Sequence, residues 1–356
     1  MRRDQGQARW QAIWRDRGWQ ARLLWPLSRL YGLLISLRRS LYAHGLLTIH
    51  QLPVPVVVVG NVVVGGAGKT PTVLALLHHL KTRGWHPGVV SRGHGRRSTG
   101  VLEVTADTPA SDSGDEPALI RRNADIPVFV GAQRAQAARA LLKSHPEVDV
   151  IVCDDGLQHL ALGRDLSIAV FDSRGTGNGW LLPAGLLRER WPPRKNQSFQ
   201  PDIVLQQSAE GEVQPPPLPM VHHPLHHAVR RLADHALGPD NERLPLADLR
   251  DTPLTALAGI ASPEAFFAML RARGLHLQQT IALPDHADDA TLAATLASCR
   301  GTLVCTEKDA VKLFALWKRA SSDSRPVLWT VPLELRLEPA FFDAIDRRLA
   351  RPDSAP

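Results

Sequence analysis

Short, unbroken apolar runs alternating with helix-periodic stretches set the pattern of this chain. Residues 56–59 are four consecutive valines, and a glycine-rich turn follows them. Beyond the turn, Leu74, Leu77 and Leu80 recur at the spacing of one helix face, which predicts a helix over 71–81 that Gly84 ends. Further apolar runs at 88–91, 101–104, 126–130, 148–153, 166–171 and 203–205 predict strands, with a helix over 132–143 among them. Strands that are apolar on both faces and alternate with helices predict an α/β fold, a parallel sheet covered on both sides. Pro192, Pro193 and the run EGEVQPPPLP at 210–219 break the pattern and read as linker. A second series follows, with strands at 254–261, 276–282, 302–306 and 327–331, helices over 263–273 and 287–299, and an amphipathic helix over 339–349. The predicted divisions are an N-terminal segment 1–50, a first domain 51–209, a linker 210–225, a smaller α/β domain 226–335, and a helix and tail 336–356.

Charge changes the picture at one end only. The net charge is +7, yet residues 1–50 hold nine arginines against two aspartates, and the remainder carries 33 basic and 33 acidic residues. A balanced body argues against nucleic-acid binding through a broad basic surface. The basic end also holds Trp10, Trp14, Trp19 and Trp25 and both tyrosines of the chain, Tyr31 and Tyr42. Arginine with tryptophan and tyrosine around an apolar stretch is the composition of a helix lying in a bilayer interface. The apolar stretch at 30–37, between Arg29 and the pair Arg38-Arg39, is too short to span a membrane. The plainer account is an amphipathic helix packed on the protein body; the clustered charge favours contact with anionic lipid. No small-residue cleavage site follows, so a cleaved secretion signal is not supported. Three cysteines, Cys153, Cys299 and Cys305, two of them inside strand-like runs, fit a reducing compartment rather than a disulfide framework or a zinc site.

The chemistry concentrates at strand ends. The run GGAGKT, Gly65 to Thr70, joins a strand to a helix and has the layout of a phosphate-binding loop. Gly65, Gly66, Ala67 and Gly68 let backbone N–H groups turn towards anionic oxygens, Lys69 reaches the terminal phosphates, and the Thr70 hydroxyl can ligate Mg²⁺. The spacing departs from the standard one: Val63 stands where a glycine belongs, and Val64 where a variant loop has lysine. A second strong signal is VDVIVCDDGLQH, whose strand ends in Asp154-Asp155, the partner such a loop needs on the metal side. Weaker clusters are Ser91-Arg92-Gly93-His94, Gly114-Asp115-Glu116-Pro117 before a predicted helix, and Arg188-Glu189. Their ordinary readings are a basic turn, a helix cap and an exposed ion pair. Pro284-Asp285-His286 offers an imidazole beside a carboxylate, or simply a cap. Thr306-Glu307-Lys308-Asp309 is similar to a guanine-reading motif but lacks the residue between Lys and Asp, so GTP is disfavoured. His222, His223, His226 and His227 give no single helical face and no complete metal shell, and read as linker histidines.

Taken together and in this order, VGNVVVGGAGKTP, SRGHGR, GDEP, DDGLQH, GNGWLLPAGLLRE, AGIASPEAFF, LPDH and TEKDAVKL resemble the tetraacyldisaccharide 4′-kinase family of Gram-negative bacteria, which acts in lipid A biosynthesis. The resemblance implies a P-loop NTPase-type kinase domain, a smaller C-terminal α/β domain and a two-stranded linker between them. It implies transfer of the γ-phosphate of ATP to the 4′-hydroxyl of a tetraacyldisaccharide 1-phosphate, with Mg²⁺, by a peripheral or monotopic enzyme on the cytoplasmic face of the inner membrane. No obligate protein partner is implied. By the same resemblance Lys69 and Thr70 hold phosphates and Mg²⁺, Asp154 and Asp155 serve the metal, and Asp115 is the catalytic base, paired with His286. Arg92, Gln158 and Glu189 are supporting residues. His94 and Leu157 depart from the tyrosine and phenylalanine usual in the family, and neither replaces a group that moves a proton. The rival reading is a membrane-associated P-loop ATPase or GTPase switch, which would release phosphate rather than label a lipid.

Overall fold

The structure, a computed structural model, describes residue 10 and residues 12–66, 68–194, 197–212, 215, 217–219, 223–285, 287–321 and 325–349. Its centre is strand β1 (Val56–Gly60), whose five residues are all buried. Helix α2 (Lys69–Thr82) packs on one side of the sheet through Val73, Leu76, Leu77 and Leu80. Helix α5 (Arg134–Ser144) covers the other with Ala137, Ala138 and Leu141. Burial on both faces is what an unbroken valine run needs, since each such side chain contributes about 1.5–3 kcal/mol when removed from water.

The remaining strands of this body are β2 (Pro87–Ser91), β3 (Leu102–Glu103), β4 (Val128–Val130), β5 (Val150–Asp154), β6 (Leu166–Phe171), β7 (Ile203–Ala209), β8 (Leu225–Leu232) and β15 (Leu333–Leu337). Their order across the nine-stranded sheet is β15-β8-β7-β6-β1-β5-β2-β4-β3. β1 runs parallel to both its neighbours, β5 and β6, while β2, which follows it in the chain, lies beyond β5. The order therefore reverses at β1, and the carboxyl ends of β1, β5 and β6 open a crevice where ligands of such sheets bind. The short helix α3 (Ala110–Ser113) and helix α4 (Asp115–Ala124) lie between β3 and β4.

A second, six-stranded sheet has the order β10-β9-β14-β13-β11-β12. Its strands are β9 (His235–Leu237), β10 (Arg243–Pro245), β11 (Leu254–Ala258), β12 (Leu277–Ala282), β13 (Thr302–Thr306) and β14 (Val327–Val331). Helices α6 (Pro263–Ala272), α7 (Asp289–Ser298) and α8 (Glu307–Arg319) surround it. The chain enters this body after β8 and leaves it before β15, and those two strands pair antiparallel over Ala228–Leu232 and Leu333–Leu337. Both belong to the large sheet, because β8 also runs parallel to β7. The final helix, α9 (Pro339–Leu349), returns to the large body and buries Phe341 and Ile345 in its core.

Two expectations differ from this arrangement. Residues 226–232 and 333–335, within the predicted smaller domain, pair in the large sheet together with Leu225 of the predicted linker and residues 336–337 of the predicted tail. His226 and His227 accordingly sit on a strand rather than in a linker, and His223 bonds Gln200 Oε1 at 2.7 Å; His222 lies outside the described residues.

Helix α1 (Trp19–Ala43) lies against the segment 178–191 of the large body. Ser28 donates to the Leu181 carbonyl at 2.7 Å and Tyr31 to the Arg188 carbonyl at 3.1 Å, while Arg39 pairs with Glu189. Its other side exposes Leu23, Leu27, Leu30, Leu33, Leu34 and Leu37. Among the described residues no helix is long and apolar enough to cross a membrane.

Candidate active site

The glycine loop leaves β1 braced rather than free. Val63 pairs antiparallel with Leu187, and the Val64 N–H donates to the Leu186 carbonyl at 2.9 Å. Valine at these two positions follows from that bridge, since both extend a small strand pair where other loops turn. Flexibility is concentrated further on. Gly68 has φ +76°, and a Cβ there would lie 1.9 Å from Gln207 Oε1. Gln207 donates to the Gly68 carbonyl at 3.1 Å and to Thr72 Oγ1 at 2.7 Å, tying the loop to β7. Lys69 and Thr70 then open α2, so the helix N-terminus and the Lys69 ammonium address the crevice together. Ala67 lies outside the described residues.

The aspartate pair stands beside this loop. Asp154 ends β5, in register with Val59 of β1, and is fully buried. Its Oδ1 has no hydrogen-bond partner, and Ser91 Oγ approaches its Oδ2 at 3.5 Å. Burial, reinforced by the nearby Glu116 carboxylate, pushes its pKa up to about 8, against the pull of Lys69. Asp155 follows in a left-handed conformation at φ +49°, and its Oδ1 is 3.6 Å from Lys69 Nζ and 3.2 Å from an Arg188 guanidinium nitrogen. Burial would raise this carboxyl, but Lys69 and Arg188 outweigh it and hold it below the usual range. Two adjacent carboxylates thus have opposed protonation preferences, one paired and ionised, the other waiting for a cation.

That asymmetry tests whether Mg²⁺ fits. Among the described residues no group of three or more His, Cys, Asp or Glu forms a protein cage for a metal. Nucleotide Mg²⁺ does not need one, because phosphate oxygens and water supply most of its shell beside one or two carboxylates. An orphaned, buried Asp154 oxygen beside Lys69 and the Thr70 helix start fits that requirement.

The supporting residues divide. Gln158 Nε2 donates to the Asn61 carbonyl at 3.0 Å, and Asn61 in turn donates to the Gly65 carbonyl at 3.0 Å and accepts from Arg188 at 3.2 Å. Gln158 and Arg188 thereby join the loop to Asp155. Glu189, though adjacent to Arg188, turns the other way and its carboxylate engages Arg39 of α1. Arg92 is exposed just past the end of β2. Burial, with the charges of Arg134, Arg164, Arg38 and, least, Arg92, drives the His159 pKa down to about 4, so that imidazole is neutral.

Asp115 opens α4 after Gly114, whose φ of +93° makes the turn that presents it. The carboxylate is buried and meets Lys312 Nζ of α8 at 2.9 Å, across the gap between the two bodies. Glu116, the next residue, is the one felt by Asp154, so the GDEP turn borders the metal side of the crevice. His286 lies outside the described residues. The Thr306-Glu307-Lys308-Asp309 run has a local structural explanation. Thr306 caps α8 by accepting the Asp309 N–H, and Asp309 accepts from the Gly259 N–H at 2.9 Å.

Sequence reasoning passed over Asn61, Arg134, Gln207 and Lys312. Asn61 follows β1 directly and Gln207 follows the apolar run 203–205 within β7, positions that signal a crevice-facing polar group. Arg134 is buried, with its Nε unpartnered, at the start of α5. Lys312 lies in the TEKDAVKL run, but nothing local gives it a role.

A family profile described as Tetraacyldisaccharide-1-P 4′-kinase matches residues 20–350. The tetraacyldisaccharide 4′-kinase of Polaromonas naphthalenivorans is 55% identical over 337 residues, covering 94% of this chain and 92% of that protein. That of Polaromonas sp. strain JS666 is 54% identical over 342 residues, covering 95% of each. The crystal structure of LpxK from Aquifex aeolicus in complex with ATP superposes with a TM-score of 0.76 at 28% identity, over 93% of this chain and 99% of that one. With a profile match spanning most of its length and relatives above half identical, this chain belongs to the tetraacyldisaccharide-1-P 4′-kinase family.

Proposed function

We propose that this chain is an ATP-dependent kinase that phosphorylates the 4′-hydroxyl of a tetraacyldisaccharide 1-phosphate. The observation that carries this reading is a buried Lys69, at a helix start, 3.6 Å from the second of two aspartates at a strand tip, in a chain of this family. Transfer forms a bond between the sugar oxygen and the γ-phosphorus, breaks the bond from that phosphorus to the ADP oxygen, and needs the hydroxyl proton removed. Asp115 takes that proton. Lys69 and the N–H groups of the loop meet the charge that spreads over the phosphoryl oxygens. Thr70 with Asp154 or Asp155 would hold Mg²⁺, which when bound would supply further charge neutralisation at the nucleotide phosphates. Arg188 keeps Asp155 in place, and Asn61 with Gln158 keeps the loop in place. The nine-stranded body carries the nucleotide and the six-stranded body closes over it, which excludes water and suppresses hydrolysis.

A lipid acceptor with four acyl chains hardly leaves a bilayer, so the enzyme works at a membrane surface. The support is α1, whose exposed leucines lie along one side while Ser28, Tyr31 and Arg39 fix the other to the Arg188-Glu189 segment. A groove of about 1180 Å³ beside it, lined by Arg39, Trp180, Leu181, Arg190 and Trp191, combines apolar walls with cations suited to a phosphorylated lipid. These features support a peripheral position on the cytoplasmic face of the inner membrane. Removing residues 1–47 is expected to move the protein from the membrane to the soluble fraction, and unchanged partitioning would count against the interfacial helix. The activity itself is tested with γ-labelled ATP, Mg²⁺ and tetraacyldisaccharide 1-phosphate. Label in the lipid supports the kinase; release as free phosphate alone, independent of lipid, would favour a nucleotide switch.

A further inference from the structure

Helix α8 carries two lysines one turn apart, Lys308 and Lys312, and residues at i and i+4 share a face. Lys308 Nζ donates to Asp285 Oδ1. Lys312 Nζ meets Asp115 Oδ1 at 2.9 Å and donates to the Ala287 carbonyl at 3.1 Å. One helix face therefore holds Asp285 and Ala287 in the small body and the carboxylate that opens α4 in the large one. Lys312 is largely buried, its side chain 14% exposed against 7% for Asp115, so this is not a solvated surface pair.

The helix that presents Lys312 is itself fixed. Thr306 caps it, Asp309 ties it to Gly259 at the end of β11, and Asn123 of α4 donates to Glu307 Oε1 at 2.6 Å. Arg122 of α4 lies over the Phe314 ring, 4.2 Å from its centroid. α4 and α8 thus touch near both ends of α4, and of these contacts the Lys312 pair reaches the carboxylate assigned to proton transfer. A general base must hold its oxygen within hydrogen-bond reach of the attacking hydroxyl, and a displacement of about 1 Å costs about 10²-fold in rate.

We propose that Lys312 is a positioning residue for phosphoryl transfer: it fixes the Asp115 carboxylate of the large body and, through the Ala287 carbonyl, ties it to the small body. This rests on the reading of Asp115 as the base. Lys312 acts through Asp115 and touches no reacting atom.

The test uses the full-length enzyme with Mg²⁺-ATP and tetraacyldisaccharide 1-phosphate. Lys312→Met is expected to lower kcat about 10²-fold with the KM for ATP nearly unchanged. Lys312→Arg, which keeps a charged donor, is expected to recover most of that loss. Combined with Asp115→Ala, the Lys312→Met change is expected to add nothing, because both act on one proton transfer. Wild-type kcat in Lys312→Met, an effect confined to KM, or a fully additive loss in the double variant would each overturn the proposal. Lys312→Gln serves in place of Lys312→Met should the latter melt below the assay temperature, with the same expected split. Full turnover in Asp115→Ala alone would instead overturn the assignment of the base.

Discussion

Two buried aspartates, each near the carboxyl end of an inner strand of its sheet, are treated differently by the fold. Asp154 ends β5 of the large sheet with Oδ1 unpartnered and only a long Ser91 contact on Oδ2. Asp309 lies just past β13 of the small sheet, and its Oδ2 accepts from the Gly259 N–H at 2.9 Å and the Thr306 hydroxyl at 2.6 Å. Burial raises the pKa of both. In the small body the carboxylate is consumed by structure, holding the cap residue Thr306 and tying the helix to Gly259. In the large body it is left short of partners, which destabilises the chain unless a cation arrives. The contrast separates a site from the frame that closes over it.

Breaking the frame gives the larger effect. Asp309→Ala leaves the Gly259 N–H without its acceptor and loosens the start of α8, at about 1–3 kcal/mol for each donor left unpaired. Denaturant unfolding is expected to show that loss, together with a fall in kcat, because Lys312 rides on the same helix. Stability equal to wild type would mean that the small body does not depend on this contact.

Altering the site is expected to give a smaller effect of opposite sign. The Asp154 pKa rises from 3.8 to about 8 on folding, so between those values the folded chain holds a proton that the unfolded chain has released. Stability therefore falls as pH rises through that window. Asp154→Asn removes the decline: at about pH 9 the variant is expected to be more stable than wild type by about 1–3 kcal/mol, with the gap closing towards pH 4. Mg²⁺-nucleotide is expected to narrow the gap by stabilising wild type alone. A variant less stable than wild type at high pH would show that Asp154 is satisfied in the empty protein.

Much of this frame was legible in the chain. The strands at 166–171, 302–306 and 327–331 have the bounds that their apolar runs predict, and the helix at 339–349 those that its amphipathic period predicts. β8 was hidden because LHHAVRRL alternates buried and exposed positions with His and Arg in it, directly after a proline run. β15 reads LELRL, polar at alternate positions for the same reason. α8 was obscured by the likeness of TEKD to a nucleotide motif, although Thr306 with Asp309 is an ordinary helix start. At the site, Lys69, Asp154 and Asp155 are spoken for by local spacing. The Lys312–Asp115 pair joins residues 197 positions apart and leaves no periodic trace, so only the tertiary fold reveals it. Glu189 shows the converse: its place in GLLRE was readable, but its turn towards Arg39 was not.

The account depends on Asp115 meeting the acceptor hydroxyl while the loop and the aspartate pair hold ATP. The most direct measurement compares wild type with Asp115→Ala for transfer of γ-label to tetraacyldisaccharide 1-phosphate, alongside equilibrium binding of Mg²⁺-ATP. The expected result is a loss of turnover of about 10²–10⁴-fold with nucleotide affinity nearly unchanged. Turnover equal to wild type, or a loss explained wholly by weakened nucleotide binding, would contradict it.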